Sequence, residues 1–240
     1  MGRRCYSVGV RRPTVFLFDI DGTLNSSGSA GRRAVEAAFA ASHGRAEACS
    51  DFSFAGMTDR AIVRRALAGM GAASDDAAVD ALLDTYLSLL ADEVARAGDY
   101  RVHAGIAEAL DALEPHARRG VAAVGLGTGN VERGARLKLG RVGLAGRFSF
   151  GGYGSDAEER PELIRIGAQR GAAHLGRERA SCRVVIIGDT PRDIEAAHAI
   201  GAEAIAVATG PFSVLELQNA GADRAFDNLS APGALEALLG

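Results

Sequence analysis

The chain has 240 residues, of which 48% are hydrophobic and 24% charged, and a formal net charge of −3. That length suits one large domain, or a core domain with a smaller one inserted. The small net charge gives no electrostatic case for nucleic acid or a membrane surface as partner, and no run approaches the ~18 apolar residues of a membrane span.

Cys5, Cys49 and Cys182 are too widely spaced, and odd in number, for a metal cluster or a disulfide framework. This points to a reducing compartment, and the cytoplasm is the expected location. The first 13 residues carry Arg3, Arg4, Arg11 and Arg12 and lack the apolar stretch of a signal peptide. Gly2 starts no myristoylation signal, because Tyr6 stands where Ser or Thr is needed. The segment reads as a basic tail.

Val15–Phe18 is an unbroken apolar run, as expected of a strand covered on both faces. It ends in Asp19, and Asp21, Gly22 and Thr23 follow. Gly22 frees the backbone to turn. Two carboxylates at the end of a buried strand are costly unless a cation or a hydrogen-bond network satisfies them.

Residues 25–31 form a polar loop that reads as a hinge. Helical patterns follow at 34–43, 59–69 and 77–97, the last with Leu82, Leu83, Tyr86, Leu89, Leu90 and Val94 at helical spacing. No strand pattern interrupts this block, so it reads as a helical insertion of roughly 70 residues. A second hinge is expected at 98–105.

Alternation then resumes. Helices are expected at 105–114 (ending near Pro115), 131–139, 160–171, 193–199 and 231–239, and strands at 121–126, 148–152, 184–188 and 204–208. Repeated strand–helix units imply a parallel sheet with helices on both faces, an α/β fold. In such a sheet the carboxyl ends of the strands share one edge, so Asp19 and Asp21, Thr128, and Asp189 with Asp193 can converge there. Gly125, Gly127 and Gly129 do not make a dinucleotide fingerprint, because position 132 is Glu. The five histidines are scattered and show no ligand spacing. Arg64-Arg65 and Arg118-Arg119 read as solvated helix faces.

Three segments carry a family resemblance: Asp19-Ile20-Asp21-Gly22-Thr23, Leu126-Gly127-Thr128-Gly129-Asn130, and Gly188-Asp189-Thr190-Pro191-Arg192-Asp193. In order and type they resemble the first, second and fourth motifs of the haloacid dehalogenase (HAD) superfamily. The resemblance spans residues 14 to about 210. It implies a Rossmann-like parallel-sheet core (residues 1–24 and 105–240) and an all-helical, four-helix-type cap (residues 25–104) inserted after the first motif. It also implies a Mg²⁺-dependent phosphatase of small phosphorylated metabolites, with oligomeric state left open.

By the same resemblance Asp19 is the nucleophile, giving an aspartyl phosphate, and Asp21 is the general acid and base. The implied metal ligands are Asp19, the backbone carbonyl of Asp21, and Asp189, with Asp193 either beside them or binding directly. Thr128 and backbone N–H groups near Gly22 and Gly129 would bind phosphate. The phosphate-binding cation is expected at Arg160, where many relatives carry Lys before Pro161. Lys138 is the alternative, and otherwise reads as a residue of a solvated helix face.

Asp21 argues against dehalogenation, which needs no acid two residues after the nucleophile. Related hexose-phosphate mutases carry an Arg in the cap where this chain has Asp59, after Gly56-Met57-Thr58. That feature resembles the phosphoglycolate-phosphatase-like branch instead. Arg60 is a candidate for substrate contact, or equally a salt-bridged surface residue. A phosphomutase and a non-catalytic phosphate-binding protein are the rival readings.

Overall fold

The computed structural model describes residues 12–240. The expectations for the basic tail up to Arg11, including Cys5, lie outside the described residues. In chain order the elements begin with strand β1 (Thr14–Phe18), the two-residue strand β2 (Asn25–Ser26), and helices α1 (Ala30–His43), α2 (Asp59–Gly69) and α3 (Asp76–Arg96). Strand β3 (Arg101–Val102), α4 (Ile106–Arg118), β4 (Ala122–Thr128), α5 (Glu132–Arg141), β5 (Gly151–Tyr153) and α6 (Arg160–His174) follow. The chain closes with β6 (Arg183–Gly188), α7 (Pro191–Ala199), β7 (Glu203–Val207), α8 (Val214–Asn219), β8 (Arg224–Phe226) and α9 (Ala234–Leu239).

Six strands form one sheet in the order β5-β4-β1-β6-β7-β8, and every pairing is parallel. β1 lies between β4 and β6, with Thr14 opposite both Ala122 and Arg183. All five of its residues are buried, which is why it reads as continuous apolar sequence. The two sheet faces carry separate apolar layers. Phe16 and Phe18 pack with Leu113, Leu139 and Leu238, whereas Val15 and Leu17 pack with Leu163, Ile164 and Ile194.

Between β2 and β3 lies a block of three helices rather than four. Thr58 caps α2 by accepting the Ala61 N–H, and Asp75 caps α3 by accepting that of Ala78. Leu82, Leu83, Tyr86, Leu87, Leu90 and Val94 bury against Val35, Phe39, Ile62 and Leu67. Leu89, expected in that stripe, is only partly buried. The two expected hinge segments meet as an antiparallel ribbon, with Asn25 opposite Val102 and Ser26 opposite Arg101.

α4 runs through Pro115 to Arg118 instead of stopping before it. Pro115 falls on the exposed face, where water can hydrate the carbonyl it leaves unpaired, while Leu113 and His116 keep the opposite face buried. β8 and α8 continue the fold past the expected strand at 204–208, where the sequence pattern was too short to mark them.

Candidate active site

β1, β4 and β6 are adjacent, so their carboxyl ends form one edge of the site. Asp19 directly follows β1, Thr128 is the last residue of β4, and Asp189 directly follows β6. Arg160 opens α6 and Asp193 lies in the first turn of α7. Asp19, Asp189, Asp193 and Arg160 are all buried.

The Arg160 guanidinium links two of these carboxylates. Its Nη2 lies 3.1 Å from Asp19 Oδ2, and its Nε donates to Asp193 Oδ1 at 3.0 Å. Its Nη1 donates to the carbonyl of Gly56, in the loop before α2 (3.3 Å). Both oxygens of Asp193 are occupied, because Oδ2 accepts from the Thr190 N–H (3.0 Å) and hydroxyl (2.7 Å) in a capping box. Asp193 therefore orients Arg160 and starts α7.

One oxygen each from Asp19, Asp189 and Asp193 lies within 4.8 Å of the others. Burial pushes the Asp19 carboxyl up to about 6, against the pull of Arg160 and the Thr128 hydroxyl. Burial, with Asp193 and Asp19 beside it, also pushes Asp189 well up, although Thr23 donates to its Oδ1 at 3.0 Å. Clustered buried carboxylates with one guanidinium among them hold surplus negative charge. Oxygen-only donors of this kind fit a hard divalent cation such as Mg²⁺.

Gly22 is shaped for this cluster: at φ +84°, a Cβ there would sit 2.3 Å from Asp189 Oδ2. Its N–H is committed to the Asn25 carbonyl at 3.0 Å, so Gly22 contributes the turn rather than a free phosphate donor. Gly129 allows an equally close approach. A Cβ on it would lie 2.3 Å from the carbonyl oxygen of Met57.

Asp21 is held by residues from two further segments. Lys138 Nζ donates to its Oδ2 at 2.6 Å, Asn130 Nδ2 to the same oxygen at 2.9 Å, and the Ser27 hydroxyl to Oδ1 at 3.0 Å. Burial pushes Asp21 up, but the Lys138 ammonium and these hydrogen bonds leave its carboxyl below the usual range. Asn130 Oδ1 also accepts from Lys138 Nζ (2.6 Å), and its Nδ2 donates to the Thr128 hydroxyl oxygen (2.9 Å). Lys138 is thus buried, not solvated. Arg160 lies against Asp19 and Lys138 against Asp21.

A cavity of about 270 Å³ opens between this edge and the helical block. Asp19, Asp21, Lys138 and Arg160 line one side, and Arg32, Asp59, Ile62 and Tyr86 the other. Asp59 is tied to the sheet side twice: its N–H donates to the Gly129 carbonyl (2.8 Å), and its Oδ2 accepts from the Val131 N–H (2.9 Å). Burial pushes its carboxyl up to about 6. Arg60 turns away to pair with Asp76 and Asp80. Arg64, expected on a solvated face, reaches Glu158 (2.9 Å) and so bridges the helical block to the loop before α6.

Sequence reasoning passed over Asn130 and Ser27 and left Lys138 in doubt. One signal was available: Lys138 is the only lysine in a chain rich in arginine.

Among the described residues no helix is long and apolar enough to cross a membrane. No curated protein sequence matches the chain. Solved structures do. CbbY from Rhodobacter sphaeroides in complex with phosphate is 17% identical with a TM-score of 0.66, the match covering 94% of this chain and 99% of that one. A protein from Lactobacillus delbrueckii subsp. bulgaricus, assigned as a phosphoglycolate phosphatase, is 22% identical (TM-score 0.63), covering 95% and 99%. A Bacteroides vulgatus protein assigned as a β-phosphoglucomutase is 19% identical (TM-score 0.63), covering 96% and 91%. These likenesses establish the fold. The model of the haloacid dehalogenase-like hydrolases matches residues 13–201. The chain belongs to that family of hydrolases.

Proposed function

We propose that this hydrolase is a Mg²⁺-dependent phosphatase that cleaves a small phosphomonoester through a phospho-Asp19 intermediate. The observation that carries the reading is the division of labour between two buried cations: Arg160 against Asp19 and Lys138 against Asp21. Phosphoryl transfer needs a nucleophile beside positive charge, and a separate group that moves protons.

Asp19 attacks phosphorus and the ester P–O bond breaks. Asp21, ionised at rest beside Lys138, takes up the proton of the phosphomonoester monoanion and passes it to the departing oxygen, then takes one from the water that hydrolyses the acyl phosphate. Arg160 and the Thr128 hydroxyl orient and neutralise the phosphoryl oxygens. Asp193 holds Arg160 in place. Asp19, Asp189 and the carbonyl of Asp21 would hold Mg²⁺, which supplies further charge neutralisation on phosphate.

The block of α1–α3 acts as a cap, with residues 25–31 and 98–105 as its hinges. Closed, it excludes water and contacts the organic part of the substrate. The CbbY complex with phosphate agrees with a phosphorylated small molecule as substrate here.

The test is phosphate release from a panel of small phosphomonoesters with and without Mg²⁺, beside Asp19→Asn. Mg²⁺-dependent turnover that the substitution abolishes supports the reading. Interconversion of sugar-phosphate isomers without phosphate release would replace it with a mutase.

A further inference from the structure

The helical wall of the cavity carries two polar groups that the protein leaves without partners. Asp59 is 7% exposed, and its Oδ2 is fixed by the Val131 N–H, yet among the described residues nothing donates to its Oδ1. Tyr86 is 1% exposed, and its hydroxyl has no hydrogen bond to any described residue. Both side chains line the cavity. Among the described residues the side-chain atoms both fully buried and unpartnered belong to Asn25 and His103, so Asp59 Oδ1 and the Tyr86 hydroxyl are open to the water of the cavity, which a ligand's polar group can replace.

Charge on this wall is one-sided. Arg32, its only cation among the described residues, is neutralised by Glu36 (3.3 Å), held by the carbonyls of Cys49 and Phe52 (3.2 Å each), and stacked 3.8 Å over the Phe54 ring. Lys138 and Arg160 on the opposite side are paired with Asp21, Asp19 and Asp193. The uncommitted charge offered to the organic part of a substrate is therefore the Asp59 carboxylate.

We infer that Asp59 and Tyr86 form a subsite for a hydroxyl of the leaving group, so that the substrate is the phosphomonoester of a neutral polyol or sugar. The inference rests on the phosphatase reading and deepens it. A hydroxyl donates to Asp59 Oδ1 and accepts from the Tyr86 hydroxyl, satisfying both groups. A carboxylate or second phosphate on the leaving group offers acceptors only and meets like charge at Asp59. An ammonium satisfies Asp59 but leaves the Tyr86 proton without an acceptor. The fixed Oδ2 and the backbone tie to Gly129 pre-orient the carboxylate, which makes it selective.

The experiment compares kcat/KM of the full chain with Mg²⁺ for glycerol 1-phosphate, 2-phosphoglycolate, phosphoethanolamine and p-nitrophenyl phosphate, in wild type, Asp59→Asn and Tyr86→Phe. Wild type should favour glycerol 1-phosphate over 2-phosphoglycolate and over phosphoethanolamine by at least about tenfold. In Asp59→Asn the amide oxygen keeps the Val131 bond and its N–H faces the cavity, so the preference over 2-phosphoglycolate should fall about tenfold or reverse. Tyr86→Phe should lower the preference over phosphoethanolamine by about fivefold. These are ratios within one protein, so a general loss of stability does not move them. Turnover of p-nitrophenyl phosphate with a wild-type preference for 2-phosphoglycolate or phosphoethanolamine, or with ratios unchanged in both variants, overturns the subsite and leaves the phosphatase standing. No phosphate release from any ester overturns both.

Discussion

Lys138 Nζ lies 2.6 Å from Asp21 Oδ2, and both Asn130 and the ammonium hold that one carboxylate oxygen. The pair joins a helix on the sheet to the turn after β1. It sets the ionisation of the group proposed to give and take the proton.

Removing the ammonium should therefore move the pH dependence of catalysis. Lys138 and the hydrogen bonds around Asp21 keep its carboxyl below the usual range. In Lys138→Met that stabilisation of the anion is gone while burial remains, so the Asp21 pKa rises. Both limbs governed by Asp21 shift the same way, and the optimum of the kcat profile moves to higher pH, with the largest loss on the acid side. An unchanged optimum would show that Asp21 does not govern the profile.

Arg160 touches Asp19, Asp193 and the Gly56 carbonyl at once. Arg160→Ala should lower kcat about 10²–10³-fold, the scale seen when one preorganised donor to developing charge is lost. Arg160→Lys keeps the charge but not the fork, so it recovers activity only in part. Steady-state kinetics on the two variants measures the difference.

Asp59 carries a cost at neutral pH. Burial pushes its carboxyl up to about 6, above the ~3.9 of an unfolded chain. The folded state thus binds the extra proton between those values. The stability so gained is full below the unfolded value and is lost as pH rises through about 6. Asp59→Asn should melt higher than wild type at pH ~7.5, by the ~1–3 kcal/mol that such a shift implies, and close to wild type at pH ~4.5. For a chain of this size that is a difference of several degrees. Thermal melts of the metal-free proteins at the two pH values test it.

Gly129→Ala should loosen the helical block. The new Cβ would stand 2.3 Å from the Met57 carbonyl oxygen and 2.9 Å from Thr58 Cα, both backbone atoms that cannot rotate aside. Relief requires the start of α2 to move away, breaking the 2.8 Å bond from the Asp59 N–H to Gly129. We expect a lower Tm, a KM raised several-fold, and faster proteolysis in the loop around Gly56. A variant with wild-type KM would show that this contact does not shape the substrate cavity.

The parallel sheet was legible because its central strands are short apolar runs that end in Asp19, Thr128 and Asp189. Run length and end residue together locate the edge where ligands bind. β2, β3 and β8 were not legible. At two or three residues each, they carry no periodicity and exist only through pairing with Val102, Asn25 or Val207. Lys138 was left between two readings for a related reason. Around it α5 intersperses four other charged residues with Leu, Ala and Gly, so no clear apolar face marks Lys138 as buried, and only the arrival of Asp21 and Asn130 from other segments makes its burial tolerable. Pro115 shows the converse. A strong local stop signal is overridden when the proline falls on the exposed face of a helix whose other face is buried.

The most direct test of the central claim is to look for phosphate on Asp19. The protein would be mixed with a turned-over phosphomonoester and Mg²⁺, quenched in acid within one turnover, reduced with borohydride, and the peptide carrying Asp19 analysed by mass spectrometry. Asp19 should be converted to homoserine in a substrate-dependent way, with no homoserine at that position in Asp19→Asn. Steady turnover with Asp19 unmodified at every quench time, or with modification at another residue, would contradict it.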